Sequence, residues 1–138
     1  MASAQPDKEI WWIASTLDDL REMSEEVRSV IGFALRLAQR GESHPDSRKM
    51  RGDLHDVIEI VISDAGDAFR AMYTVKLKGA VYVLHVFQKK SKKGIATPQA
   101  DLNLIRKRLK DARKHYEENY SSSNRAQVGD KKLHRRAI

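Results

Sequence analysis

Apolar residues recur along this chain at two spacings, and the switch between them marks out its elements. Residues 9–14 (EIWWIA) form a short apolar run behind a polar lead-in and read as an opening strand. Ser15 or Thr16 then caps a short helical turn through Glu22, with Asp18 and Asp19 in its first turn. A clearer helix begins at Ser24-Glu25-Glu26. There Val27, Val30, Ile31, Ala34, Leu37 and Ala38 recur three and four apart, and Gly41 supplies the stop. Residues 42–56 are polar, with turn material at His44-Pro45-Asp46 and Arg51-Gly52-Asp53. Three β-rich runs follow at 57–63, 68–76 and 80–88, joined through Asp64-Ala65-Gly66-Asp67 and Lys78-Gly79. Two close turns joining three such runs predict an antiparallel meander. Thr97-Pro98 is a helix start, a capping hydroxyl followed by proline at the first helical position. Leu102, Ile105, Leu109, Ala112 and Tyr116 then form one face of a long helix. From Asn119 the pattern fades and a flexible basic tail is expected. The expectation is an α+β domain over 1–118, a small antiparallel sheet with N-terminal helices and a long C-terminal helix, followed by a tail over 119–138.

Composition narrows the class. At 138 residues there is room for one real core. Cysteine is absent, which excludes disulfides and zinc–thiolate sites. No apolar stretch approaches the length of a membrane span, and the N-terminus has no basic run leading into an apolar core. A cytoplasmic protein without membrane contact is the expectation. The net charge of +7 hides a split. Residues 1–69 carry eight Lys/Arg against fourteen Asp/Glu, whereas residues 70–138 carry eighteen against five. Positive potential concentrated in the second half favours a phosphate-bearing partner. RNA is the first choice, with DNA and an acidic protein still open; the plainer alternative is that these cations only solubilise a helix and a tail.

The segment 81–94 (VYVLHVFQKKSKKG) carries the most chemistry. Strict strand alternation puts Val81, Val83, His85, Phe87 and Lys89 on one side and Tyr82, Leu84, Val86 and Gln88 on the other. With helices over the Leu84/Val86 side, His85, Phe87 and Lys89 face an open surface beside Lys90, Lys92 and Lys93. Rings and cations interleaved in this way suit unpaired nucleotides, whose bases stack and whose phosphates need countercharge. Alternatively His85 and Phe87 belong to a second layer of core. Arg70 shares a face with Met72 and Thr74 and can reach the same surface. Glu59, the one charge in its strand, either pairs with Arg70 as a structural ion pair or orients it for catalysis. Lys49 and Arg51, one residue apart before that strand, can bracket a phosphate. No metal or cofactor site is expected: His44, His55, His85, His115 and His134 are scattered, and P-loop and Rossmann glycine patterns are absent.

Ile10-Trp11-Trp12, the LRLAQRG run ending at Gly41, Lys49-Met50-Arg51-Gly52, Val57-Ile58-Glu59-Ile60 and Phe69-Arg70-Ala71-Met72-Tyr73 form a familiar series. Most specific is Val83-Leu84-His85-Val86-Phe87-Gln88-Lys89-Lys90, followed by Lys93-Gly94-Ile95-Ala96-Thr97-Pro98. Over residues 8–118 the chain resembles the HigB-like, phage-related branch of the RelE/ParE superfamily, the toxins of type II toxin–antitoxin pairs. The resemblance implies a metal-independent endoribonuclease (an mRNA interferase) that cuts message in the ribosomal A site. Attack by a 2′-hydroxyl would leave a 2′,3′-cyclic phosphate and a 5′-hydroxyl. On the matching positions, His85 would move the proton, Arg70 and Lys89 would stabilise charge on the phosphoryl oxygens, and Lys49, Arg51 and Lys90 would hold the backbone. Phe87 would stack on a base, with Lys92 and Lys93 nearby. The catalytic tyrosine that RelE places near its C-terminus has no evident counterpart, Tyr116 and Tyr120 being the available substitutes. The implied partners are mRNA, the ribosome and a cognate antitoxin, in such systems often a helix-turn-helix protein. ParE-like relatives act on DNA gyrase instead, and a gyrase-directed toxin or a non-catalytic binding module is the alternative.

Overall fold

Glu9–Ile13 (β1) ends at Ala14, whose φ of 54° turns the chain into Thr16–Arg21 (α1). The computed structural model describes residues 6–89 and 97–120, together with the backbone of 133–135. Glu25–Gln39 (α2) is capped by Ser24, whose Oγ accepts from the Val27 amide at 3.2 Å, and Glu25 and Glu26 place negative charge on its first turn. It stops at Gly41 (φ 79°): the Gly41 amide donates to the Ala38 carbonyl at 3.1 Å and the Glu42 amide to the Leu37 carbonyl at 2.8 Å. This is a Schellman closure, which asks for a left-handed residue where the glycine stands.

Ser47–Lys49 (β2) and a 3-10 turn at Gly52–Leu54 lead into Val57–Asp64 (β3), Asp67–Thr74 (β4) and Ala80–Lys89 (β5). Between β3 and β4, Ala65 (φ 53°) and Gly66 (φ 87°) are both left-handed, the backbone of a tight two-residue hairpin. Gln99–Tyr120 (α3) follows, and Leu133–Arg135 (β6) adds a short last strand. The strand order is β2-β3-β4-β5-β1-β6. The predicted meander β3–β4–β5 is antiparallel as expected. The sheet as a whole is mixed, because β1 lies parallel to β5 and antiparallel to β6. The α+β class, the N-terminal helices and the long C-terminal helix agree with the sequence pattern. The remainder of the expected tail lies outside the described residues.

Helices cover both faces of the sheet. On one, α1 and α2 pack Leu20, Val27, Ile31 and Leu35 against Ile10, Trp12, Ile60, Tyr73, Val83 and Val86. On the other, α3 packs Ile105, Leu109 and Ala112 against Ile13, Val57, Met72, Tyr82 and Leu84. The central strand β5 therefore alternates between two dry layers rather than between core and water, as its nearly unbroken burial reflects.

The pairing of β4 with β5 contains a bulge. Tyr73 faces Val83 and Met72 faces His85, so Leu84 is an extra residue with no partner of its own. The bulge corrects the alternation expected from sequence. Val81 and Val83 pack toward α2, whereas His85 and Phe87 share the α3 face with Leu84; Val86 lies opposite. The wet side expected for His85, Phe87 and Lys89 is also corrected, since α3 covers that face. Among the described residues, no helix is long and apolar enough to cross a membrane.

Candidate functional site

β1 accompanies β5 only from Ala80 to Val83. Beyond that point the edge of β5 leaves its neighbour, and α1 lies beside it. A groove opens there, lined by Asp19, Glu22 and Met23 on one wall and by Phe69, His85 and Phe87 on the other. The rings of His85 and Phe87 stack with centroids 4.3 Å apart and planes 16° from parallel. His85 is only 8% exposed, yet it borders this groove.

Asp101, on the first turn of α3, lies 2.8 Å from His85 Nε2. The other ring nitrogen, Nδ1, is buried and has no hydrogen-bond partner among the described residues. Burial pushes the His85 pKa down; the hydrogen bond and charge of Asp101 oppose that, Arg108 adds to the depression and Asp19 counters it. Arg108, two turns along α3 from Asp101, donates from Nη1 to the carbonyl of Leu84 at 2.9 Å. The bulge thus serves two purposes: it turns His85 toward α3, and it presents a carbonyl that fixes Arg108.

A second polar group lies on the same face. Arg70 Nη1 donates to Glu59 Oε2 at 2.6 Å and to Thr97 Oγ1 at 3.2 Å. Arg48 Nε donates to the other Glu59 oxygen at 3.3 Å. Glu59 and Arg70 are both buried, at 5% and 4% exposure. The pairing of Glu59 with Arg70 was one of the two arrangements open from sequence. Thr97, read as a helix cap, offers its hydroxyl to Arg70; α3 starts at Gln99, with the Pro98 carbonyl accepting from the Leu102 amide at 3.0 Å. Lys89 is buried as well.

The structure therefore gathers His85 and Phe87 at the groove and places Arg70, Glu59 and Lys89 in the layer beneath α3. Lys49 and Arg51 are exposed but lie at β2, three strands from β5, about 14 Å at the usual strand spacing. Lys90, Lys92 and Lys93 are outside the described residues. Tyr116 and Tyr120 stand about 22 Å and about 28 Å along α3 from Asp101. They serve the other end of the sheet: Tyr116 donates to the Lys78 carbonyl, and Tyr120 bonds with Trp11 and Glu9. Three of the six cations on α3 have acidic partners within the protein, Arg106 with Asp53, Arg113 with Asp56 and Lys107 with Asp111. Among the described residues, no three His, Asp or Glu side chains are placed to hold a metal ion.

Residues 18–110 match a family described as phage derived protein Gp49-like (DUF891), which covers 93 of the 138 residues. The chain belongs to the Gp49-like family. The matched span of this Gp49-like protein runs from α1 into α3 and contains Asp19, Glu59, Arg70, His85, Phe87, Asp101 and Arg108. No curated protein matches it. Asp101 and Arg108 were not singled out from sequence. Their helical separation of seven residues shows only a shared face; that the face meets the bulged strand is a tertiary fact.

Proposed function

We propose that this Gp49-like protein is the toxin of a type II toxin–antitoxin pair, a HigB-like endoribonuclease of the RelE/ParE kind acting on mRNA at the ribosome. The observation that supports this best is the His85–Asp101 pair beside Phe87, at the groove where β5 runs free of β1. A proton-transfer group, a carboxylate that supports its charged form and a ring able to stack on a base stand together there. Cleavage needs no further reactant. The 2′-hydroxyl gives its proton to His85, its oxygen bonds to phosphorus, and the 5′-oxygen leaves with a proton taken from water, to which the imidazolium returns its own. The products are a 2′,3′-cyclic phosphate and a 5′-hydroxyl end. Asp101 favours the imidazolium formed on the way.

Arg70 takes a different place in this proposal from the one its sequence position suggests. Bound to Glu59 and Thr97 and 4% exposed, it holds β3, β4 and the approach to α3 together. The exposed Lys49 and Arg51 serve the message at a distance from the cut. A cognate antitoxin, of helix-turn-helix type in many such pairs, would silence the protein.

The test is to add purified protein to ribosome-programmed mRNA, and to the same mRNA alone, and to map the 5′ ends. Ribosome-dependent cuts by the wild type, reduced at least a hundredfold in His85→Ala with the fold retained, are expected. Intact message in both settings, with folded protein free of antitoxin, overturns the proposal and directs attention to gyrase.

A further inference from the structure

Arg70 is engaged with Glu59 in the covered layer, which leaves open which cation meets the phosphate at the groove. Arg108 is built for that task. It is half-buried, and among the described residues its one hydrogen bond is the 2.9 Å contact from Nη1 to the Leu84 carbonyl. A guanidinium has five N–H donors, so most of this fork remains available. Three other cations of α3 differ in being ion-paired. Arg106 grips Asp53 at 2.7 Å, Lys107 reaches Asp111 at 3.3 Å and Arg113 reaches Asp56 at 3.0 Å. Asp19 and Asp111 feel the charge of Arg108 without forming an ion pair with it. Burial, meanwhile, removes part of the solvent that would otherwise satisfy it.

Its position is equally specific. Asp101 and Arg108 are seven residues apart on α3, two turns on one face. One bonds His85 and the other bonds the residue immediately before it. We propose that Arg108, rather than Arg70, is the guanidinium that binds the scissile phosphodiester, held next to the groove residue His85 by the carbonyl of the bulge residue Leu84. A planar fork anchored through one nitrogen can offer the others to non-bridging phosphoryl oxygens, where negative charge grows during cleavage. This assignment rests on the ribonuclease reading above.

Single-turnover cleavage of ribosome-bound mRNA by wild type, Arg108→Gln, Arg108→Lys and Arg106→Gln tests it, using messages with oxygen or a single sulfur at the non-bridging positions of the cut. Arg108→Gln should lose about a hundredfold or more, the scale of a missing oxyanion donor, while Arg106→Gln stays within about threefold. One sulfur diastereomer should slow the wild type and have little further effect on Arg108→Gln, because the contact it weakens is already gone. A purely structural role would leave the sulfur effect intact. If Arg108→Gln does not fold, Arg108→Lys carries the same sulfur comparison. Full activity in Arg108→Gln, or a sulfur effect equal to that of wild type in the folded variants, overturns the assignment while the ribonuclease reading stands. Absence of cleavage by the wild type removes both.

Discussion

His85 is subject to two opposing influences: burial disfavours its charged form, and Asp101 at 2.8 Å favours it. Burial is the larger, so the folded pKa lies below the ordinary value of about 6.5. In Asp101→Asn the supporting charge is lost and the His85 pKa should fall further, which an NMR titration of the ring protons reads directly. An unchanged midpoint would show that Asp101 does not support the imidazolium. The sign for stability follows from proton uptake. Between the folded pKa and about 6.5 the unfolded chain binds the proton more readily, so this contribution is complete above that range and declines as pH falls through it. Thermal midpoints of wild type should therefore drop more steeply below pH 6.5 than those of His85→Gln. Glu59 and Arg70 present the buried-pair case. Glu59→Ala leaves a guanidinium in a dry layer and should cost about 3–5 kcal/mol in urea unfolding, whereas Glu59→Leu with Arg70→Met should cost far less. His85, Arg70 and Glu59 were legible as candidates because each breaks an apolar pattern. Asp101 and Arg108 were not, because each looks like ordinary solvent-facing polarity on an amphipathic helix until its partner is known.

At the scale of elements, the periodicities located every long helix and strand, and Gly41 marked the end of α2 for the stereochemical reason its φ of 79° confirms. What alternation could not reveal was the extra residue in β5. Val-Leu-His-Val reads as uninterrupted strand, and only the opposing strand shows that Leu84 has no counterpart. Nor does sequence announce that β1 joins β5 in parallel, since that depends on which edge of the meander remains to be filled. The β3–β4 hairpin makes a simple test. Ala65 holds a left-handed conformation that a Cβ disfavours. Ala65→Gly should stabilise the protein by about 0.5–1 kcal/mol, and Ala65→Asn should act in the same direction; a loss of stability in both would mean the hairpin turn is of another kind.

At the scale of the whole molecule, the described residues form a sheet with a helical layer on each face. Ile31, on the α2 side, and Ile105, on the α3 side, are both fully buried. Ile31→Ala and Ile105→Ala should each cost about 2–5 kcal/mol. In each variant, tryptophan fluorescence and far-ultraviolet circular dichroism should still report one shared transition, because both layers grip the same strands. Separate transitions in either variant would show that the layers fold independently. The charge split belongs to this scale too. Two of the six cations of α3, Arg106 and Arg113, pair with Asp53 and Asp56 of the 50–56 segment. Counting charges in the second half of the chain therefore overstates how much positive surface reaches a partner.

The unpaired Leu84 acts on β5 as a frameshift acts on a message. Everything up to Val83 is set in one phase and everything from His85 onward in the other. Deleting this single residue would close the bulge with Val83 still opposite Tyr73 and His85 still opposite Met72, so the imidazole would keep its side of the sheet while Arg108 lost the carbonyl that holds it. Substitutions along β5 change the site one side chain at a time; loss of the extra residue would instead remove a main-chain acceptor and leave every side chain of the site in its place.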